Sequence, residues 1–183
     1  MARPFVRSLN SLAYAQHWSP PSPHSAKINV DTAMGLRFSV IAVVARDWRG
    51  ELVLAYSKKV NTTLPLQAEA EALKWVLSLA PYLVFEAMCV ESDSQICANL
   101  LSDKESAHPW RIKSIIADAR ALLIASPSIS VCWVNRQCNY APRALARWSI
   151  DFFVVVVVVG NNPPCFVSVV RVRLACRCSL CFY

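Results

Sequence analysis

The chain has 183 residues, 55% of them apolar, with 19 basic and 12 acidic side chains, a net charge of +7 and a sequence pI near 9.1; that is enough for one packed domain with appendages. Residues 27–150 hold 14 basic against 11 acidic residues, a net charge of only +3, which is compatible with nucleic acid without requiring it. The apolar run Phe152–Val159 has eight residues and is too short to span a membrane, which takes about 20.

Residues 1–26 contain Arg3, Arg7, several Ser and no acid, then the Pro-rich stretch Trp18 to Pro23 without periodicity, and are expected to be a disordered linker. Lys27 to Ala33 reads as a first strand. Arg37 to Arg46, with its dense β-branched run, reads as a second, and Glu51 to Val60, after an Asp47-Trp48-Arg49-Gly50 turn, as a third. Short turns between three strands predict an antiparallel meander. From Pro65 to Ala80 the period changes: Leu66, Ala70, Leu73, Val76, Leu77 and Ala80 recur at helical spacing. A fourth strand is expected over Val84–Glu91, a short helix from Ser94 to Leu101, and a longer helix over His108–Ser126 through Trp110, Ile112, Ile115, Ile116, Ala119, Leu122 and Leu123. Ser128 to Asn135 reads as the fifth strand, and Asn139 to Ile150 as a last helix with Pro142 in its first turn. The expected order is βββαβααβα. Residues 151–183 depart from this pattern and are expected to lie outside the domain; the valine run has high β-propensity and no charge, the composition of an aggregation-prone strand.

Three carboxylates fall where such an order brings strand ends together. Asp31 ends the strand-like run Lys27 to Val30, and Asp93 follows the fourth strand, where Ser92 with Gln95 fits a capping box. Glu69 lies on one face of the helix between them. Carboxylates from three elements at the carboxyl ends of strands suit a divalent cation and a phosphate, because hard cations take oxygen ligands and neutralise phosphoryl charge. Cys89, Cys97, Cys132 and Cys138 stand at no metal-ligand spacing and read as small core side chains in a reducing, intracellular setting, nucleus or cytoplasm. Cys176, Cys178 and Cys181 cluster without a fourth ligand at zinc-finger spacing.

The motifs resemble one family. Lys27-Ile28-Asn29-Val30-Asp31, preceded by Trp18 and Pro20-Pro21, resembles the opening strand of the type 1 ribonuclease H-like domain found in plants, alone or behind retrotransposon reverse transcriptases. Ala68-Glu69-Ala70-Glu71-Ala72-Leu73 resembles its helix motif, Glu91-Ser92-Asp93-Ser94 its central motif, and Asn139 followed by Ala144-Leu145-Ala146 its closing motif. The resemblance runs from about Trp18 to Trp148. It implies an α/β ribonuclease H-like fold: a five-stranded mixed sheet, three antiparallel strands and two parallel ones, flanked by helices.

The resemblance also implies hydrolysis of the RNA strand of an RNA–DNA hybrid by a monomer using two Mg²⁺ (or Mn²⁺) ions, with Asp31, Glu69 and Asp93 as catalytic metal ligands. Asn139, Lys58 and Lys59 are the candidate nucleic-acid contacts, RNA–DNA hybrid or RNA. Two departures fall on this chemistry. The closing motif of the family runs Asn-x-x-Ala-Asp-x-Leu-Ala, and here Pro142-Arg143 replaces Ala-Asp, so the fourth carboxylate is missing. The family's His six residues before that Asn is Trp133. Three readings therefore stand side by side: an impaired ribonuclease, a non-catalytic nucleic-acid-binding module and a retroelement remnant.

Overall fold

The computed structural model describes residues 17–102, 109–152 and 156–158. β1 (Ser25–Met34), β2 (Ser39–Asp47) and β3 (Leu52–Val60) form the expected antiparallel meander. β4 (Ala87–Ser92) lies parallel to β1 on its other side, and β5 (Ile129–Trp133) parallel to β4. The helices are α1 (Pro65–Leu79), α2 (Gln95–Ser102), α3 (Lys113–Ala125) and α4 (Tyr140–Phe152). The five-stranded mixed sheet β3-β2-β1-β4-β5 is thus as expected. It gains a three-residue edge strand, β6 (Val156–Val158), paired antiparallel with Leu54–Tyr56 of β3. The rest of the tail, with Cys176, Cys178 and Cys181, lies outside the described residues. Among the described residues no helix is long and apolar enough to cross a membrane.

Several boundaries move. β1 begins at Ser25 rather than Lys27, and Ala26 is already in the core. Of the expected linker, Trp18 lies beneath Arg46, whose guanidinium carbon is 3.5 Å from the ring centroid. β4 starts at Ala87, after the exposed Val84. The long helix is preceded by a 3₁₀ turn over Trp110–Ile112, and Trp110, expected on the apolar face, is 79% exposed. The capping box does not form. Ser92 Oγ instead accepts the Ser94 N–H at 3.1 Å, and the first helical bond of α2 runs from Ala98 N–H to the Ser94 carbonyl, so Ser94 caps the helix.

Alternation along β1 separates two layers. Ala26, Ile28 and Val30 join Ile41, Val43 and Ala45 of β2 beneath Leu73, Val76 and Leu77 of α1, and Ile112, Ile115, Ile116 and Ala119 beyond them complete this core. The opposite face is thinner. There α4 packs Ala146, Leu145 and Ile150 on Ala33 and Ala42, and a buried Ser57–Ser149 hydrogen bond of 2.7 Å ties it to β3. Small side chains let α4 approach the sheet closely, which places its first turn beside the carboxyl end of β1. At the β1–β2 turn only glycine fits position 35, since a Cβ there would stand 2.8 Å from the Phe38 carbonyl oxygen.

Because Ile115 is buried under α1 while Ile124, further along α3, is exposed, the two should respond differently to truncation. Ile115→Ala should cost about 2–5 kcal/mol in chemical denaturation, and Ile124→Ala within about 0.5 kcal/mol of nothing.

Candidate metal centre

The register of the central strands sets the site. β1–β4 pairing ends at Val30 opposite Ser92, so Asp31 and Asp93 are the next residues on two neighbouring strands as the ladder stops. Asp31 stays paired to Ala42 on β2, whereas Asp93 enters the turn to α2. Val134 N–H continues the β4–β5 ladder to the Ser92 carbonyl at 2.9 Å, and the Trp133 indole N–H donates to the Asp93 carbonyl at 3.2 Å, which anchors the turn from the other side. Glu69 comes from the second turn of α1, whose start is set by Pro65 at its first position. The three side chains each offer a carboxylate oxygen, and these oxygens all lie within 4.8 Å of one another.

Each carboxylate is held from one side. The Thr32 N–H donates to Asp31 Oδ1 at 2.7 Å, and the Thr32 hydroxyl donates to Glu69 Oε1 at 2.6 Å. Asn139 Nδ2 donates to Asp93 Oδ1 at 3.4 Å. The second oxygens of Asp31 and Glu69, Oδ2 and Oε2, are buried without a hydrogen-bond partner. Burial and the neighbouring Asp93 push the Asp31 carboxyl up from 3.8 to about 6, against the opposing pull of the Thr32 N–H, Arg143 and Arg136. Burial pushes Glu69 from 4.5 to about 7, with Asp31 and Asp93 adding to it and the Thr32 hydroxyl and Arg136 opposing it. Unpartnered anionic oxygens in a buried position are costly. A hard divalent cation with oxygen ligands would satisfy both at once, so the residues present fit such a group.

Two arginines flank this cluster. Arg136, in the loop after β5, has its Nε 3.8 Å from Asp93 Oδ2, and its side chain is 66% exposed against 14% for Asp93. Arg143, half-buried in the first turn of α4, lowers the Asp31 pKa through its charge, yet among the described residues it has no carboxylate within 4.0 Å. The guanidinium that approaches Asp93 is thus that of Arg136, while Arg143 acts on Asp31 through its charge without an ion pair among the described residues.

Residues 29–149 match the family model described as reverse transcriptase-like, about two-thirds of the chain. The chain belongs to the reverse transcriptase-like family. Solved structures place this reverse transcriptase-like domain in the ribonuclease H fold. It is similar to RNase H1 from the halophilic archaeon Halobacterium salinarum (22% identity, TM-score 0.63, 69% of this chain and 98% of that one). It is similar also to the N-terminal RNase H domain of a Mycobacterium tuberculosis protein (18%, TM-score 0.61, 69% and 94%). A third is LC11-RNase H1, isolated from compost by a metagenomic approach and solved in complex with an RNA/DNA hybrid (20%, TM-score 0.59, 69% and 96%). At these identities the likeness concerns the fold. No curated protein sequence matches the chain significantly.

Of the residues singled out from the sequence, the domain brings Asp31, Glu69 and Asp93 together and leaves the others elsewhere. Asn139 is 0% exposed, and its Nδ2 also donates to the Val30 carbonyl at 2.8 Å, so it braces the site from behind. Lys58 and Lys59 point to opposite faces of β3, as successive strand residues must. The Lys58 ammonium lies 4.6 Å from the Trp75 ring centroid and that of Lys59 4.2 Å from Phe38, so one groove cannot take both. The sequence reading missed Thr32 and Arg136. Thr32 had a usable signal, a hydroxyl directly after a candidate metal-binding Asp; an arginine in a loop had none. None of the four described cysteines is in a disulfide; Cys97 and Cys138 are buried, and Cys89 and Cys132 are half-buried in their strands.

The raised carboxyl pKa values carry a pH dependence with a definite sign. The fold favours the neutral forms of Asp31 and Glu69, so their contribution to stability is fully present below about pH 4 and is lost as pH rises through about 6 and 7. Denaturation of the metal-free chain should show stability falling across that window, and Asp31→Asn should flatten part of the fall. A metal-free chain whose stability rises from pH 4 to 7, in step with Asp31 and Glu69 ionising, would contradict this electrostatic picture.

Proposed function

We propose that the domain is an RNA–DNA hybrid ribonuclease that uses Mg²⁺ or Mn²⁺, attenuated by Arg143. The observation that carries the reading is the pair of buried, unpartnered oxygens, Asp31 Oδ2 and Glu69 Oε2, converging with Asp93 where the parallel β1–β4 ladder stops. The fold shared with RNase H1 structures, one of them holding an RNA/DNA hybrid, supports the choice of substrate class.

In this reading Asp31, Glu69 and Asp93 hold the cations. A bound divalent ion supplies a Lewis acid at the phosphodiester and makes water acidic enough to act as a nucleophile near neutral pH. The chain's own part is positional. Thr32 takes one oxygen of Asp31 and one of Glu69, which leaves the other oxygen of each for a cation. Asn139 holds Asp93 against the end of the β1–β4 ladder. Burial keeps competing water from the Asp31 and Glu69 oxygens and strengthens their attraction for a cation.

Arg143 works against this set. Where the family carries a carboxylate, a guanidinium stands that stays charged at any relevant pH. A unit positive charge about 4 Å from another is repelled by roughly 4 kcal/mol at an effective dielectric of 20, and a divalent ion feels about twice that. Its charge already registers at Asp31. A second reading, a module that grips nucleic acid without cutting it, is favoured by the same Arg143 together with the exposed Arg136 beside Asp93, since both would attract phosphate.

A labelled RNA–DNA hybrid separates the two. The ribonuclease reading expects Mg²⁺-dependent cleavage that Asp31→Asn abolishes while the fold is retained, because removing one of several clustered charges relieves repulsion. Arg143→Asp should raise the rate and lower the Mg²⁺ concentration needed. Salt-sensitive hybrid binding with no cleavage by either the unmodified chain or Arg143→Asp would favour the binding module.

A further inference from the structure

Behind the carboxylates lies a second set of buried polar groups on the α4 side of the sheet. Lys27 and Glu91 form an ion pair of 2.9 Å with both side chains almost fully covered. Asn29, 0% exposed, sits between this pair and the site: its Nδ2 donates to Glu91 Oε2 at 2.8 Å and to Asn139 Oδ1 at 3.3 Å, and its Oδ1 accepts from Arg46 Nη2 at 3.0 Å. Asn139 in turn donates from Nδ2 to the Val30 carbonyl and to Asp93 Oδ1. The groups form one connected path, Arg46 to Asn29 to Asn139 to Asp93, with Glu91 and Lys27 bracing it.

The polarity of that path is fixed by chemistry. An amide has a donor end and an acceptor end, and which way it points follows from its partners. A guanidinium can only donate and a carboxylate can only accept, so Arg46 and Glu91 together force the oxygen of Asn29 toward Arg46 and its NH₂ toward Glu91. That NH₂ then requires an acceptor from Asn139, which receives it through Oδ1. The NH₂ of Asn139 is thereby turned toward two acceptors, Val30 O and Asp93 Oδ1. Were Asn139 reversed, its oxygen would face the Asp93 carboxylate, acceptor against acceptor.

We infer that Asn29 is a positioning residue for the metal centre: held between Glu91 and Arg46, it sets the orientation of Asn139 and through it the carboxylate of Asp93. The inference rests on the reading of Asp31, Glu69 and Asp93 as a cation site, and adds to it a residue that touches neither cation nor substrate. Partners at one remove from a metal commonly change its affinity about 10- to 100-fold when altered.

A charge-conserving double exchange isolates the effect. Asn29→Asp replaces the donor by an acceptor, which demands the NH₂ of Asn139 and turns its oxygen toward Asp93; alone it also sets two carboxylates side by side and should lower the melting temperature. Adding Glu91→Gln keeps one buried negative charge beside Lys27 and supplies a donor to position 29, so stability should recover. The reversed polarity at Asn139 remains. Mn²⁺ binding to the full chain, followed by electron paramagnetic resonance, should therefore be about tenfold weaker in the double variant than in the unmodified chain. The ¹³C carboxyl resonance of Asp93 in the metal-free protein should shift as well. A double variant that regains its melting temperature and binds Mn²⁺ as tightly as the unmodified chain, with the Asp93 resonance unmoved, would overturn the relay. If the unmodified chain binds no Mn²⁺, the metal reading fails instead, and the Asp93 resonance alone then decides for or against the relay.

Discussion

Two carboxylate oxygens buried without partners are the constraint around which this domain is arranged. A fold does not keep Asp31 Oδ2 and Glu69 Oε2 out of water for stability, since each is desolvated and each feels the negative charge of its neighbours. The cost is contained by three features of the surroundings. Thr32 hydrogen-bonds one oxygen of each carboxylate, the β1–β4 ladder ends one residue before Asp31 and Asp93, and the alanine-lined seat of α4 brings the chain after Asn139 against the same place.

The electrostatics around the cluster are uneven. On one side, Arg136 approaches Asp93 from solvent on a loop, where it is screened and free to move toward a phosphate. On the other, Arg143 is half-buried in a helix turn and acts on Asp31, where its charge is less screened. The two therefore differ in reach: the exposed guanidinium of Arg136 is weakened by solvent, while the partly buried one of Arg143 keeps more of its effect on Asp31. The Lys27–Glu91 pair has a different character again. Both charges are covered, so each compensates the other, and removing either would leave a buried charge unpaired.

Much of the fold was legible because its signals are local. The β-branched runs, the change of period at Pro65 and the place of Asp93 just after the fourth strand each depend on a few neighbouring residues; Asp31, expected at a strand end, lies instead inside β1, paired with Ala42, at the point where the ladder to β4 stops. The partners that orient the site do not. Lys27, Asn29 and Asp31 alternate along β1 in the manner of a solvent-facing strand, yet that face is covered by Trp18, by Asn139 and by Glu91 from the next strand. A charged residue at 91, two before a candidate ligand in a strand buried on both sides, was the available clue to a polar network within the sheet. Asn139 read as a surface contact because a motif gives spacing but not depth. The pairing of Val156–Val158 with β3 was equally out of reach, since a run of valines shows β-propensity without naming its neighbour.

If Asp31, Glu69 and Asp93 together hold a cation, diffraction from crystals grown with Mn²⁺ will locate it. Anomalous scattering should place a peak within bonding distance of oxygens from all three carboxylates, and that peak should vanish from crystals of Asp31→Asn. Well-ordered crystals in millimolar Mn²⁺ with no peak among these oxygens, or with a peak held elsewhere, would contradict the account.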